Sequence, residues 1–203
     1  MPGQSMRKDS VRKKLNTVDD EFRGKNVLIV DDSIVRGTTL KKSILKMLDR
    51  LDPKKIIIVS STPQIRYPDC YGIDMANLES LIAFNAALEL LKDHDKTSLI
   101  KEVYENCKSE LELEDSKMEN KVKAIYDPFT ADEISDKITD LLSSHLEKRD
   151  VKIIFQTIEN LHKACPTSTG DWYFTGNYPT PGGNRVVNTA FVNFYEGNKK
   201  RAY

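Results

Sequence analysis

Residues 27–39 read VLIVDDSIVRGTT, and the order of residue types is that of a binding site. An apolar run meets two adjacent acids, Asp31 and Asp32, and then a short turn that closes on Gly37, Thr38 and Thr39. Neighbouring carboxylates repel, so placing two of them at the end of a buried strand is unfavourable unless a cation or hydroxyl groups meet them. The turn has the opposite preference. A helix N-terminus presents backbone N–H groups without internal acceptors and the positive end of the helix dipole, and both favour a phosphate. Gly37 lets the backbone approach an anion closely, while Ser33, Thr38 and Thr39 add hydroxyl donors. A phosphate cradle beside two carboxylates suits a ribose 5-phosphate. The turn takes the phosphate, and the acids accept hydrogen bonds from the sugar hydroxyls or hold a Mg²⁺ that bridges sugar oxygens and a pyrophosphate. The plainer alternative, that Asp31 and Asp32 only cap the next helix, does not account for two acids followed by two threonines.

Such a site needs a strand, a turn and a helix in that order. NVLIV at 26–30 has the composition of a parallel strand covered on both faces. Leu40, Ile44, Met47, Leu48 and Leu51 then recur at helical spacing until Pro53, and KIIIVSS from Lys55 is a second strand of the same type. A strand, helix and strand in this span form a right-handed crossover, which makes the fold class α/β with a parallel sheet. Ligands of such sheets bind beyond the carboxyl ends of the strands, where Asp31 and Asp32 fall.

Residues 63–77, with Pro63, Pro68 and Gly72, read as an irregular connection, and Leu78, Ile82, Ala86 and Leu90 as a further helix. The stretch 92–150 is charge-dense and helical. Leu99, Ile100, Val103, Tyr104 and Cys107 make one apolar face, Ile134, Ile138, Leu141, Leu142 and Leu146 another, and Thr130 with Glu133 forms a capping box. VKIIF at 151–155 returns as a strand, followed by a short helix around Ile158, Leu161 and His162. The aromatic tail from Cys165, punctuated by Gly and Pro, reads as hairpin or loop. Residues 6–16 read as a mobile basic arm.

The 203 residues carry 31 basic and 31 acidic side chains, so no net field draws the chain to nucleic acid or to an anionic membrane. No apolar run approaches the roughly 18 residues of a membrane span, and the N-terminus lacks the apolar core of a signal peptide, so the expected location is cytoplasmic. Cys70, Cys107 and Cys165 are odd in number and far apart, which favours reduced thiols over a disulfide framework. His94, His145 and His162 have no acids at catalytic spacing and read as structural or surface residues.

VLIVDDSIVRGTT resembles the phosphoribosyl diphosphate (PRPP) loop of type I phosphoribosyltransferases. MPGQSMRKDSVRKKLN before it, PQIRYPDCYGIDMANLESLIAF after it and WYFTGNYPTPGG near the end are similar to the amidophosphoribosyltransferase family. The resemblance is close over 1–84 and 151–183 and weak over 92–150. It implies a type I phosphoribosyltransferase-like parallel sheet flanked by helices and incomplete at its N-terminus. Residues 1–24 would be a basic flexible loop, 25–91 the PRPP-loop core, 92–150 a charged helical insertion, and 151–203 the final strand, helix and aromatic tail. The implied reaction transfers glutamine-derived ammonia to C1 of PRPP, giving 5-phosphoribosylamine and pyrophosphate, the first step of purine synthesis. Asp31 and Asp32 would contact the ribose hydroxyls and Mg²⁺, and Ser33, Ile34, Val35, Arg36, Gly37, Thr38 and Thr39 the 5-phosphate. Arg7, Lys8, Arg12, Lys13 and Lys14 would belong to the loop that orders over the pyrophosphate.

The resemblance also implies partners. These are PRPP, purine nucleotide inhibitors, and, in a full-length protein, a glutaminase domain and further copies in a homo-oligomer. Trp172, Tyr173, Phe174 and Tyr178 either stack on a nucleobase or, the favoured reading, pack the tail against the sheet. Some family members hold an iron–sulfur cluster. Cys70 falls near one ligand position, but Gly170 and Tyr173 stand where paired cysteines are expected, so no cluster is expected. The chain begins Met1-Pro2 and its first cysteine is Cys70, so the glutaminase half is expected to be absent and an apolar sheet edge to be left open. Two competing readings are a PRPP-binding fragment or regulator without catalysis, and a phosphoacceptor receiver domain built on VLIVDD and Asp74. Arg-Gly-Thr-Thr after the acids, and Lys152 opening a strand where receivers have a lysine following one, count against the receiver.

Overall fold

The computed structural model describes residues 21–70, 75–146, 150–168 and 170–202. The basic arm with Arg7, Lys8, Arg12, Lys13 and Lys14, and Asp74 of the receiver reading, lie outside them. Strand β1 (Asn26–Asp31) leads through the turn into a helix that opens at Thr38 and Thr39, is π-helical over Leu40–Ile44 and continues as α1 (Leu45–Arg50). Strand β2 (Lys55–Ser60) follows, then the irregular connection, α2 (Ile82–Asp93) and α3 (Ser98–Leu111). Next come α4 (Ala131–Ser143), β3 (Asp150–Phe155), α5 (Ile158–Ala164), the single turn α6 (Trp172–Thr175) and α7 (Pro181–Tyr195). All three strands are parallel in the order β1-β2-β3, with Ile29 beside Ile58 and Ile58 beside Ile153. The fold class is the α/β one expected.

The winding of the sheet decides which residues are covered. Both crossovers step in the same direction, and because parallel crossovers are right-handed, both bring their helices to the same face. On that face Ile56, Ile58, Ser60 and Ile153 are buried. The other face carries Leu28, 62% exposed, and Val30, 69% exposed, beside Ile57 and Val59, with Ile154 at 42%. The two-faced burial expected of β1 is therefore not found. Its composition is right for a buried strand, but composition does not record on which side the crossovers pass. Among the described residues β1 is the outermost strand, and the sheet face turned away from the helices carries exposed apolar side chains.

Helix α4 covers the outer side of β3, where the Ile153 N–H donates to the Thr139 hydroxyl at 3.3 Å. Its N-terminus has the expected capping box. The Thr130 hydroxyl accepts from the Glu133 N–H at 3.2 Å, and the Thr130 N–H donates to the Glu133 carboxylate at 2.7 Å. Helix α3 packs on α7, where buried Asn188 accepts from the Lys121 N–H at 3.1 Å and donates to the Glu119 carbonyl at 2.7 Å. Phe84 meets the rings of Phe191 and Phe194 edge-on, with centroids 6.0 and 4.9 Å apart.

Helix α7 departs from the hairpin or loop expected of the tail. Pro181 occupies the first turn, where its fixed φ and missing N–H are tolerated. Val186, Val187, Ala190 and Phe191 then bury one stripe at helical spacing. Gly197 follows the helix, while the prolines and glycines from Pro166 to Gly183 stand before or within that first turn. Gly183 is needed there because a Cβ would collide with Tyr178.

Candidate sugar-phosphate site

The site grows from the end of β1. The Asp31 carbonyl accepts from the Ser61 N–H at 2.9 Å, holding the strand end against the continuation of β2. The chain then folds back on its own acids: the Asp32 N–H donates to Asp31 Oδ1 at 3.1 Å, and the Ser33 N–H to Asp32 Oδ1 at 2.6 Å. Ile34 drops into the core with 3% of its surface exposed, and the Val35 carbonyl accepts from the first N–H of α2, that of Ile82, at 2.9 Å. Gly37 has φ +66°, a left-handed conformation suited to glycine. Its carbonyl accepts from the Lys41 N–H at 2.9 Å and opens the helix. The amides of that first turn have no acceptor within the helix.

A cleft of about 450 Å³ results, lined by the continuous stretch 31–40 with Ile44 and Met75. That volume is in the range of small-ligand sites. All nine residues from Asp31 to Thr39 assigned from the sequence meet in it. Met75 is a wall residue that the sequence did not single out. It holds a left-handed φ of +59°, a conformation that non-glycine residues seldom adopt, and no local pattern announces it.

Burial raises the pKa of Asp31 above the ordinary aspartate value, and the adjacent Asp32 carboxylate adds to the rise, against the lowering effect of the Asp32 N–H. The ionised pair is thus under electrostatic strain that a cation or donor hydroxyls would relieve. This donor set fits Mg²⁺, which binds through one or two carboxylates together with substrate phosphate oxygens and water. Among the described residues, no cluster of three or more His, Cys, Asp or Glu side chains is placed to hold a metal ion. Cys107 is buried with its thiol pushed up to about 12 by desolvation, Cys70 is half-buried and Cys165 is exposed, all three as free thiols.

Trp172, Tyr173, Phe174 and Tyr178 do not line this cleft. The Tyr173 hydroxyl donates to Asp69 Oδ1 at 3.0 Å and the Tyr178 hydroxyl to the Pro68 carbonyl at 2.7 Å, so the tail grips the connection that leads toward Met75. Burial, followed by the bond to Asp69, raises the Tyr173 phenol to about 12. None of the three histidines lines the cleft. His162 does have an acid partner, Asp171, at 3.0 Å; it stands nine positions away and so escaped the local-spacing reading.

A parallel sheet whose first strand ends in an acid pair and a glycine turn opening a helix is consistent with the type I phosphoribosyltransferase-like fragment that the sequence resemblance implies. No protein-family model matches the chain. Among curated proteins it is similar to amidophosphoribosyltransferases. It is 54% identical to that of Pseudomonas aeruginosa over 89 residues, covering 44% of this chain and 18% of the relative. For Escherichia coli the identity is 49% over 92 residues, covering 45% and 18%, and for Saccharomyces cerevisiae 52% over 85 residues, covering 42% and 16%. The chain matches under a fifth of the length of these relatives.

Proposed function

We propose that this chain carries the PRPP-binding portion of an amidophosphoribosyltransferase. The observation that carries the reading is the single cleft in which the acid pair and the helix-opening turn meet, supported by the similarity to relatives of that name. Backbone amides and hydroxyls from Ser33 to Thr39 hold the 5-phosphate, and Asp31 and Asp32 accept hydrogen bonds from the ribose hydroxyls, fixing the sugar so that C1 faces incoming ammonia. The C1–N bond forms as the C1–O bond breaks, the pyrophosphate leaves with the electron pair, and the nitrogen loses a proton. When Mg²⁺ is bound at Asp31 and Asp32, it supplies positive charge to the pyrophosphate oxygens. Arg7, Lys8, Arg12, Lys13 and Lys14 serve the same leaving group and exclude water. Ammonia comes from glutamine through a glutaminase domain of the longer protein. The product, 5-phosphoribosylamine, enters purine synthesis in the cytoplasm, and no helix among the described residues is long and apolar enough to cross a membrane.

Calorimetry of PRPP with Mg²⁺ tests the site, using the unaltered chain beside Asp31→Asn and Asp32→Asn. Binding by the unaltered chain and affinity about tenfold or more weaker in each variant are expected. Equal heats across the three proteins would remove the assignment. Labelling of an aspartate by acetyl phosphate would replace it with the receiver reading.

A further inference from the structure

A glycine turn aimed at an anion has a mechanical problem. Glycine is the residue with the most backbone freedom, so the amides that must converge on a phosphate wander unless something outside the turn fixes them. On one side the fixing groups are Ile34 in the core and the bond from the Ile82 N–H to the Val35 carbonyl. On the other side stands α4. A Cβ built on Gly37 would lie 2.6, 3.1 and 3.4 Å from three side-chain carbons of Leu142, which is itself 2% exposed. The leucine thus fills the space that a side chain at position 37 would occupy. One residue earlier, the Leu141 carbonyl accepts from the Lys41 ammonium at 2.7 Å. This carbonyl is among the last of α4, where helix oxygens lack internal donors and a cation is favoured by the dipole. Lys41 is the residue whose own N–H closes the first helical bond to Gly37.

Helix α4 is in turn tied to the sheet at points independent of the turn. Its Thr139 hydroxyl takes the Ile153 N–H of β3. The Gln64 side-chain amide, from the connection after β2, donates to the Ala131 carbonyl and the Ser135 hydroxyl, each at 2.7 Å. A continuous bonded path therefore runs from β2 and β3 through α4 to the back of the turn.

We propose that α4 is the positioning element of the phosphate turn, with Leu142 filling the space behind Gly37 and the Leu141 carbonyl anchoring Lys41; the identity of the ligand rests on the function proposed above. Neither residue touches the ligand. They act by keeping the turn's amides in the binding geometry before the ligand arrives, so that ordering them does not weaken binding.

The test compares Leu142→Ala and Lys41→Met with Ile134→Ala, a fully buried residue of the same helix about two turns away. Hydrogen exchange at the Lys41 amide is measured in the ligand-free chain, and PRPP affinity by calorimetry. Leu142→Ala and Lys41→Met should each speed Lys41 exchange about tenfold and weaken PRPP binding by a similar factor, while Ile134→Ala leaves both within about twofold even where it lowers the melting temperature as far. Leu142→Met and Lys41→Arg should restore both readouts. Exchange at Lys41 that rises no more in Leu142→Ala than in Ile134→Ala would overturn the proposal. Failure of the unaltered chain to bind PRPP would instead remove the ligand assignment, and the exchange comparison would still decide the role of α4.

Discussion

Gly37→Ala asks a residue with a side chain to hold φ +66°, and that conformation costs an L-residue about 1–2 kcal/mol. The new methyl lands 2.6 Å from Leu142 Cδ2 and 3.1 Å from Cδ1, so rotating one methyl aside brings the other in. Leu142 has almost no exposed surface into which it can retreat. Overpacking of this kind adds about 1–3 kcal/mol, for a total loss of about 2–5 kcal/mol. At about 2–4 °C per kcal/mol for a chain of this size, the melting temperature should fall by about 4–20 °C. Leu142→Ala alone should cost about 2–5 kcal/mol through its cavity. In the double variant the collision is gone and only the backbone term at position 37 remains. The pair should therefore be less destabilised than the sum of the singles by about 1–3 kcal/mol. Urea unfolding of the four proteins, followed through the single tryptophan, Trp172, and through circular dichroism, measures this coupling. Additivity within about 0.5 kcal/mol would refute the account of why glycine is required at this position.

Asp31 has a pKa raised above its ordinary value of 3.8 by burial and by Asp32. The folded chain thus binds this proton more tightly than the unfolded one does. The stability the group contributes is present in acid, below the ordinary aspartate value, and is lost as pH rises through the raised one. In the ligand-free chain Asp31→Asn should therefore melt no lower than the unaltered protein at neutral pH and should flatten the stability slope above about pH 4; a lower neutral-pH melting point would contradict the sign. Asn188→Ala should cost about 2–5 kcal/mol, because it leaves the Lys121 N–H and the Glu119 carbonyl without their buried partner. A loss below about 1 kcal/mol in urea unfolding would show that these groups find water instead.

The path from β1 through the turn to β2 was legible because each step has a local signature. These are an apolar run, two acids, a glycine where the backbone turns left-handed, and apolar residues at helical spacing. Leu45, wholly buried in α1, belongs to that stripe although it was not picked out from the sequence. What stands behind Gly37 was not legible. The Lys41–Leu141 bond joins residues a hundred positions apart, and no period in the sequence connects them. The open face of β1 was hidden for a related reason: Leu28 and Val30 are ordinary buried-strand residues by type, and their exposure follows from two crossovers winding the same way. Helix α7 was masked by its own punctuation, since Thr-Pro-Gly-Gly is a turn signal at the start of a helix as well as between strands.

Among the described residues, β1 is at once the outermost strand and the bearer of the acid pair. Any strand laid along its free side, with a connection crossing over Leu28 and Val30, reverses the direction of winding at this point, and such reversals are where open sheets part to form a crevice. The loop of that added strand would come down on the cleft from the side opposite the turn. On the function proposed above, recognition would be divided between two pieces of chain: this one would grip the part common to every ribose 5-phosphate, and the one that roofs it would choose among what the sugar carries at its other end.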